Sequence, residues 1–314
     1  MFRRPRAVFM GTPEFAIPSL VAAHQICDIV AVYTQPDRPV GRGMELKAPP
    51  VKQKAIEFGL DVFQPEKLSH SAEYDRLEAL RPELLIVVAY GQILKQNVLD
   101  LPPLGCVNVH ASVLPRWRGA APIQWAILSG DTETGVSTQK MVAKLDAGDV
   151  LVVEKTPIFQ DDTSQTLHDR LAMLGAKALA KTIEGLVAGT LRGTPQEDSG
   201  VTVATKLTKE MERIDCSRSV LEIDRQVRAF TPWPGTSVML DGTSERLKIR
   251  RVIPRGEVSN RPGVLFGAGG RLFLGASDGC LEVLEVQPDG KRAQSAAEFL
   301  SGRVAQKKPL EWKI

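Results

Sequence analysis

The sequence predicts an α/β protein: a mostly parallel, twisted sheet flanked by helices, followed by a smaller β-barrel domain. Three observations lead there. Over roughly the first 150 residues, short apolar runs alternate with helix-like segments, as in a mostly parallel sheet. Five short strand-like runs separated by turns then crowd the last part of the chain, as in a small barrel. Between them, Ala188-Gly189-Thr190 opens a polar stretch rich in Gly, Thr, Pro, Ser and acidic residues that continues to Gly200. A chain of 314 residues has room for two domains of about 100–200 residues each. The expected division is 1–188, a linker at 189–206, and 207–314.

The elements follow in order. Strands are expected at 7–10, 29–33, 84–89 and 107–110, with a further pair at 135–141 and 150–157. Helices are expected at 13–23, 51–58, 72–80 and 121–128. Pro13 suits a first helical turn, where a missing N–H costs little. A longer helix at 163–187 carries Leu167, Leu171, Leu174, Ala178, Ile183 and Leu186 at roughly helical spacing, with Thr163 or Ser164 as its cap. A short helix at 219–229 ends where Thr231-Pro232-Trp233-Pro234-Gly235 breaks it. The barrel strands are expected at 237–240, 246–252, 263–266, 271–274 and 280–286.

Composition narrows the function classes. With 43% hydrophobic and 25% charged residues the chain falls in the ordinary globular range. No apolar run reaches the ~20 residues needed to span a bilayer. The basic start leads into an apolar run, Ala7-Val8-Phe9-Met10, too short for a signal-peptide core. Cys27, Cys106, Cys216 and Cys280 are scattered, with neither zinc spacing nor a disulfide framework, so reduced thiols in a cytoplasmic protein and no metal are expected. Residues 206–314 hold 19 Lys and Arg against 14 Asp and Glu; the preceding part holds 21 against 23. The C-terminal part is therefore the basic one, as a phosphate-contacting module would be. Met10-Gly11-Thr12-Pro13 reads as a strand-to-helix turn, neither a G-x-G-x-x-G motif nor a P-loop.

The most telling stretch runs from Val107 to Pro122. Asn108 and His110 are two residues apart, so on an extended chain they share a face. An amide donor beside an imidazole suits acyl transfer: a carbonyl oxygen gains charge and needs a donor, while an amine nucleophile must lose a proton. In isolation the pair reads first as the polar end of a strand with a satisfied Asn and His. Downstream, Asp146 precedes an Ala-Gly turn after a strand-like run, where a carboxylate could orient His110.

Together, Asn108, His110, the proline break after Ser112 and the loop around Asp146 resemble the N-formyltransferase family that uses 10-formyltetrahydrofolate. The blocks Met10–Ala16, Thr34–Gly43, Leu114–Pro122 and Arg228–Gly235 are similar to the branch of it that acts on initiator methionyl-tRNA. The resemblance implies a one-carbon transferase moving the formyl group from 10-formyltetrahydrofolate to the α-amino group of methionyl-initiator-tRNA, for translation initiation. It also implies that the terminal barrel is OB-like and that the protein works as a monomer. Asn108, His110 and Asp146 match the family's catalytic group. Ser112, Val113, Leu114 and Pro115, together with Ala89, Tyr90, Gly91 and Ile93, match the segments that shape the folate site. Arg42, freed by Gly41 and Gly43, and Lys47 lie on a loop similar to the family's tRNA-facing insertion. Lys248, Arg250 and Arg251 form the densest basic patch of the C-terminal part outside the tail, and with Lys206 are candidates for phosphate contact. Two rivals use the same features differently: a formyltransferase acting on an amino sugar or ribonucleotide, and a noncatalytic RNA-binding protein.

Overall fold

The computed structural model describes residues 3–40, 44–240, 245–255, 261–306 and 310–314. The chain opens with β1 (Arg6–Gly11), α1 (Ile17–Ile26), β2 (Asp28–Tyr33), β3 (Arg38–Val40), β4 (Glu45–Lys47), α2 (Pro50–Glu57), β5 (Val62–Phe63) and α3 (Ser71–Ala79). It continues through β6 (Leu84–Val88), α4 (Gln96–Leu99), β7 (Cys106–His110), β8 (Arg118–Gly119), α5 (Pro122–Ser129), β9 (Glu133–Lys140), β10 (Val150–Pro157), α6 (Ser164–Val187) and β11 (Val203–Ala204). Then follow α7 (Val220–Ala229), β12 (Thr236–Met239), β13 (Arg246–Arg255), β14 (Val264–Ala268), β15 (Arg271–Ala276), β16 (Gly279–Pro288), β17 (Gln294–Ser295), α8 (Ala296–Ala305) and β18 (Glu311–Lys313).

The large sheet has the order β10-β9-β7-β6-β1-β2-β5. The five strands from β7 to β5 are parallel, and β9 and β10 add an antiparallel edge. Residues 7–11 of β1 and all of β6 are buried, because both faces of a parallel sheet are covered. From β1 the chain moves outward to β2 and β5 on one side and to β6 and β7 on the other. The carboxyl ends of β1 and β6 therefore flank a switch in strand order, where open α/β sheets bind ligands. Thr12 ties this edge together: its hydroxyl donates to Tyr90 O (3.0 Å) and accepts from Gln35 N (3.3 Å).

The six strands expected in this part form at their expected places. The first helix differs. Pro13 precedes a single 3-10 turn, Glu14–Ala16, and α1 starts after it with Pro18 in its own first turn. The long helix matches, with Thr163 and Thr166 exchanging backbone-to-hydroxyl hydrogen bonds (3.0 and 3.2 Å) at its start.

Glu154 on β10 fastens the sheet edge to α6, accepting from Lys181 (2.6 Å) and Lys177 (3.0 Å), one helical turn apart. The Lys181 hydrogen bond, then that of Lys177, holds the Glu154 carboxyl below the usual carboxylate range. A carboxyl lowered by folding adds stability above its unfolded value and loses it as pH falls through the folded value. Glu154→Gln should thus lower stability at pH 7, and the gap between variant and parent should close as pH drops below the ordinary carboxylate range. Denaturant titrations at pH 7 and in acid check this.

The chain divides into two compact units. The first comprises Met1–Pro122, Glu133–Pro157 and His168–Ala204; the second comprises Ile123–Thr132, Ile158–Leu167 and Thr205–Ile314. The stretch expected as a linker therefore supplies residues to both. The second unit contains a barrel-like antiparallel sheet, β12-β13-β16-β15-β14-β18, with β17 paired to β16. Its core includes Ile223, Leu247, Leu265, Leu281, Phe299 and Trp312. Capping boxes start α7 and α8, Ser219 with Glu222 and Ser295 with Glu298. Among the described residues no helix is long and apolar enough to cross a membrane.

Candidate active site

The site is built at the carboxyl end of β7, within the first unit. Asn108 stands opposite Gln139 of the neighbouring β9, so the two side chains share one face of the sheet. The β9–β10 connection carries Asp146 back to that face. Asn108 Nδ2 donates to Asp146 Oδ1 at 3.4 Å, and Gln139 Nε2 donates to the same oxygen at 2.8 Å. Gly119 N donates to Asp146 Oδ2 at 2.9 Å. His110 Nδ1 lies 3.6 Å from Asp146 Oδ1, and both side chains are under one-tenth exposed (7% and 8%). The structure thus brings Asn108, His110 and Asp146 together.

Hydrogen-bond directions assign the ring and amide orientations. The Trp117 carbonyl is only an acceptor, so His110 Nε2, 2.8 Å away, donates to it. Nδ1 then carries a proton only in the charged ring, and Asp146 is placed to receive that hydrogen. Asn108 must turn Nδ2 towards the carboxylate, which occupies one of its two N–H bonds and leaves the other for a ligand. Ala89, Trp117 and Asp146 all have positive φ (48°, 62° and 49°). Each costs on the order of 1 kcal/mol for a residue with a Cβ, so surrounding bonds must hold them, as at many active sites.

The turn after β7 is fixed by buried hydroxyls. Ser137 Oγ donates to Ser112 O (2.8 Å) and accepts from Leu114 N (3.0 Å). Ser112 and Leu114 are buried, while Val113 and Pro115 are half-buried. The short parallel pair β8–β11 then lays Val203 and Ala204 along Arg118 and Gly119, and Trp117 N donates to Thr202 Oγ1 (2.8 Å). A Cβ on Gly119 would come within 2.6 Å of Ala204 O, so only glycine permits that approach.

The other expected site residues fall as follows. Ala89 and Gly91 are exposed at the end of β6. The Tyr90 ring is core, 1% exposed, and burial pushes its phenol pKa well up, so only its backbone is available at this edge. Ile93 is 86% exposed and borders a hollow of about 250 Å³ with Leu68, Tyr74 and Lys95. Lys47 is exposed on β4, while Arg42, with Gly41 and Gly43, lies outside the described residues. Lys206 is exposed. On β13, Lys248 is half-buried and Arg251 exposed. Arg250 is engaged by Glu285 Oε1 (3.2 Å) and Gln287 Oε1 (3.3 Å), which offsets its charge. Arg250 and Arg251 line a cavity of about 850 Å³ in the second unit, with Phe159, Arg225 and Arg228.

Sequence reasoning missed Gln139, Gly119 and Gln196 as partners of Asp146. Strand alternation could have placed Gln139 on a common face, but only the β7–β9 register sets it opposite Asn108. Gln196 gave no signal within a polar, loop-like stretch. Burial pushes the Cys27 and Cys106 thiols up to about 12 and the Cys216 thiol to about 11.

The Formyl transferase family model matches residues 7–183, and the model of the Formyl transferase C-terminal domain matches residues 206–304. A methionyl-tRNA formyltransferase from Methylococcus capsulatus is 48% identical over 309 residues, covering 97% of this chain and 99% of its own. One from Myxococcus xanthus is 46% identical over 300 residues, covering 95% of each chain. In fold alone, an N-formyltransferase from Helicobacter canadensis in complex with folinic acid and dTDP-3-aminofucose is similar, with a TM-score of 0.68 at 18% identity over 90% of this chain and 98% of its own. HypX from Aquifex aeolicus in complex with tetrahydrofolic acid has a TM-score of 0.63 at 18% identity, over 98% of this chain and 48% of its own. Matched in both parts by the family models and along nearly its whole length by these relatives, the chain belongs to the formyl transferase family.

Proposed function

We propose that the chain transfers the formyl group of 10-formyltetrahydrofolate to the α-amino group of methionyl-initiator-tRNA, acting as a monomer. The convergence of Asn108 and His110 on Asp146 at the carboxyl edge of a parallel sheet carries the chemistry. Similarity to methionyl-tRNA formyltransferases at 48% identity over 97% of the chain supports the acceptor, and folate ligands in fold-related proteins support the donor class.

The α-amino group, with a pKa near ~7.7–8, is partly neutral at physiological pH and attacks the formyl carbon directly. A bond forms from the methionine nitrogen to that carbon, and the carbonyl electrons move onto oxygen. The free N–H of Asn108 donates to this oxyanion. His110 receives or returns protons as the amine becomes an amide and the bond to folate N10 breaks; N10 leaves with a proton. Asp146, held by Gln139, Gly119 and Asn108, orients the imidazole. Ala89, Gly91, Ile93 and the 112–115 turn shape the donor site, and Tyr90 contributes only backbone.

Arg42, Lys47, Lys206, Lys248 and Arg251 are the proposed RNA contacts, with Arg250 weakened in that role by Glu285. Arg251→Ala should raise KM for the tRNA, leave KM for the folate unchanged and reduce the salt dependence of tRNA binding by roughly one unit of slope. An unchanged slope would remove Arg251 from the interface.

The test of the whole reading is formyl transfer by the purified chain with 10-formyltetrahydrofolate and charged initiator tRNA, with elongator methionyl-tRNA alongside. Turnover only on an amino sugar or ribonucleotide would replace the acceptor. Binding of tRNA without turnover would remove the catalytic role.

A further inference from the structure

Asp146 has an awkward backbone for its task. Its φ of 49° is unfavourable for a residue with a Cβ, and it sits in an exposed connection between two strands. Its carboxylate nevertheless has to stay within hydrogen-bonding reach of Asn108 and beside His110. Something outside the loop must set its backbone.

We propose that Gln196 is the positioning residue that does so, an inference that rests on the reaction proposed above. Gln196 Nε2 donates to Asp146 O at 2.9 Å and to Gly148 O at 2.7 Å, bracketing the left-handed residue and its turn. Gln196 Oε1 accepts from Arg118 Nε (3.0 Å) and a terminal guanidinium nitrogen (2.8 Å). Arg118 itself is buried, 7% exposed, and its residue pairs with the segment at Val203. A guanidinium has donors only, so it dictates which end of the amide faces it. Nε2 is left aimed at the two loop carbonyls. The forked, charge-assisted pair makes this orientation stronger than a neutral bond would. Nε2 also lies 3.5 Å from Gln139 Oε1, whose own Nε2 donates to the Asp146 carboxylate. Gln196 therefore sets the backbone of Asp146 directly and lies against the side chain that anchors its carboxylate. It need not touch substrate.

The position distinguishes the two ends of the amide, so the variants are informative. Gln196→Met keeps the volume and removes both polar ends. Gln196→Glu keeps the acceptor for Arg118 but turns an oxygen towards two carbonyl oxygens. Displacement of a catalytic group by about 1 Å costs as much as ~100-fold. We expect both variants to lower kcat by ~10- to 100-fold, with KM for both substrates changed less than about threefold. In an Asp146→Asn background, Gln196→Met should cost less than about twofold further, because a residue acting through that carboxylate has little left to lose. Deuterium exchange in residues 143–149 should rise in Gln196→Met while that of 133–140 does not.

An equal loss in both backgrounds, or no loss in the parent, overturns the proposal. Should Gln196→Met fail to fold, Gln196→Asn, shorter by one methylene, takes its place under the same criteria. If the parent chain formylates no tRNA, the reaction proposed above fails by itself. The exchange measurement then decides the positioning claim: unchanged protection of 143–149 overturns it.

Discussion

Asn108→Ala is expected to lower the single-turnover rate of formyl transfer by about 100- to 1,000-fold while KM for the charged tRNA stays near the parent value. That split follows from the proposed role, in which the free N–H of Asn108 engages the oxygen only as it becomes an anion. A group used in the transition state and not in the ground state affects kcat and kcat/KM together. Folding should survive, since Asn108 is half-buried and its one described side-chain bond, to Asp146, is long at 3.4 Å. Quench-flow with saturating enzyme and a thermal melt of the same preparation provide both readings. A rate within threefold of the parent would take Asn108 out of the oxyanion site.

Gly148→Ala should damage the site by a different route. A Cβ there would stand 1.7 Å from Lys140 O and 2.9 Å from Lys140 C, both backbone atoms at the end of β9. No flexible side chain can move aside, so the β9–β10 connection must open at its base, where Lys140 N donates to Asp149 O (2.9 Å). Asp146 would move with it. Overpacking typically costs about 1–3 kcal/mol, so the folded state should persist with a lowered Tm. Activity per folded molecule should fall more than ~10-fold. Gly135→Ala is the comparison: its Cβ would meet Glu154 O at 2.2 Å, on the same strand pair but at the far end of β9 from this loop. It should lower Tm while sparing activity per folded molecule. Equal activity in the two variants would mean that the loop tolerates the displacement.

The parts of the fold that were legible in the sequence are those with enough residues to show a period. β1 and β6 are apolar runs, β10 opens on one at Val150–Val153, and α6 repeats its leucines over 24 residues. β5, β8 and β11 are two residues each and carry no period. The helix α8 was missed although Ser295 and Glu298 form a capping box at its start. In the site, strand alternation put Asn108 and His110 on one face, and the family resemblance, not the spacing, gave the pair its role. Asp146 had two readings, a turn residue and a catalytic carboxylate, and the left-handed backbone shows that it is a turn residue whose side chain faces His110. The partners that hold it were not legible. Gln139 depends on register, and Gln196 depends on a contact across 50 positions of chain. Charge density along the chain could not show that Arg250 is paired, because Glu285 comes from a different strand.

The pairing of β11 with β8 has a consequence for dissecting the protein. Composition invites a cut near residue 188, at the end of the long helix, to obtain a minimal catalytic fragment. Such a fragment would lose Thr202 and Ala204, which receive the backbone N–H groups of Trp117, Arg118 and Ala120. It would also lose the amide that braces the aspartate. Those donors would face water in a turn that must hold the histidine still, so a truncation meant to isolate the chemistry would remove part of its support. Any cut that keeps these acceptors lies beyond Ala204.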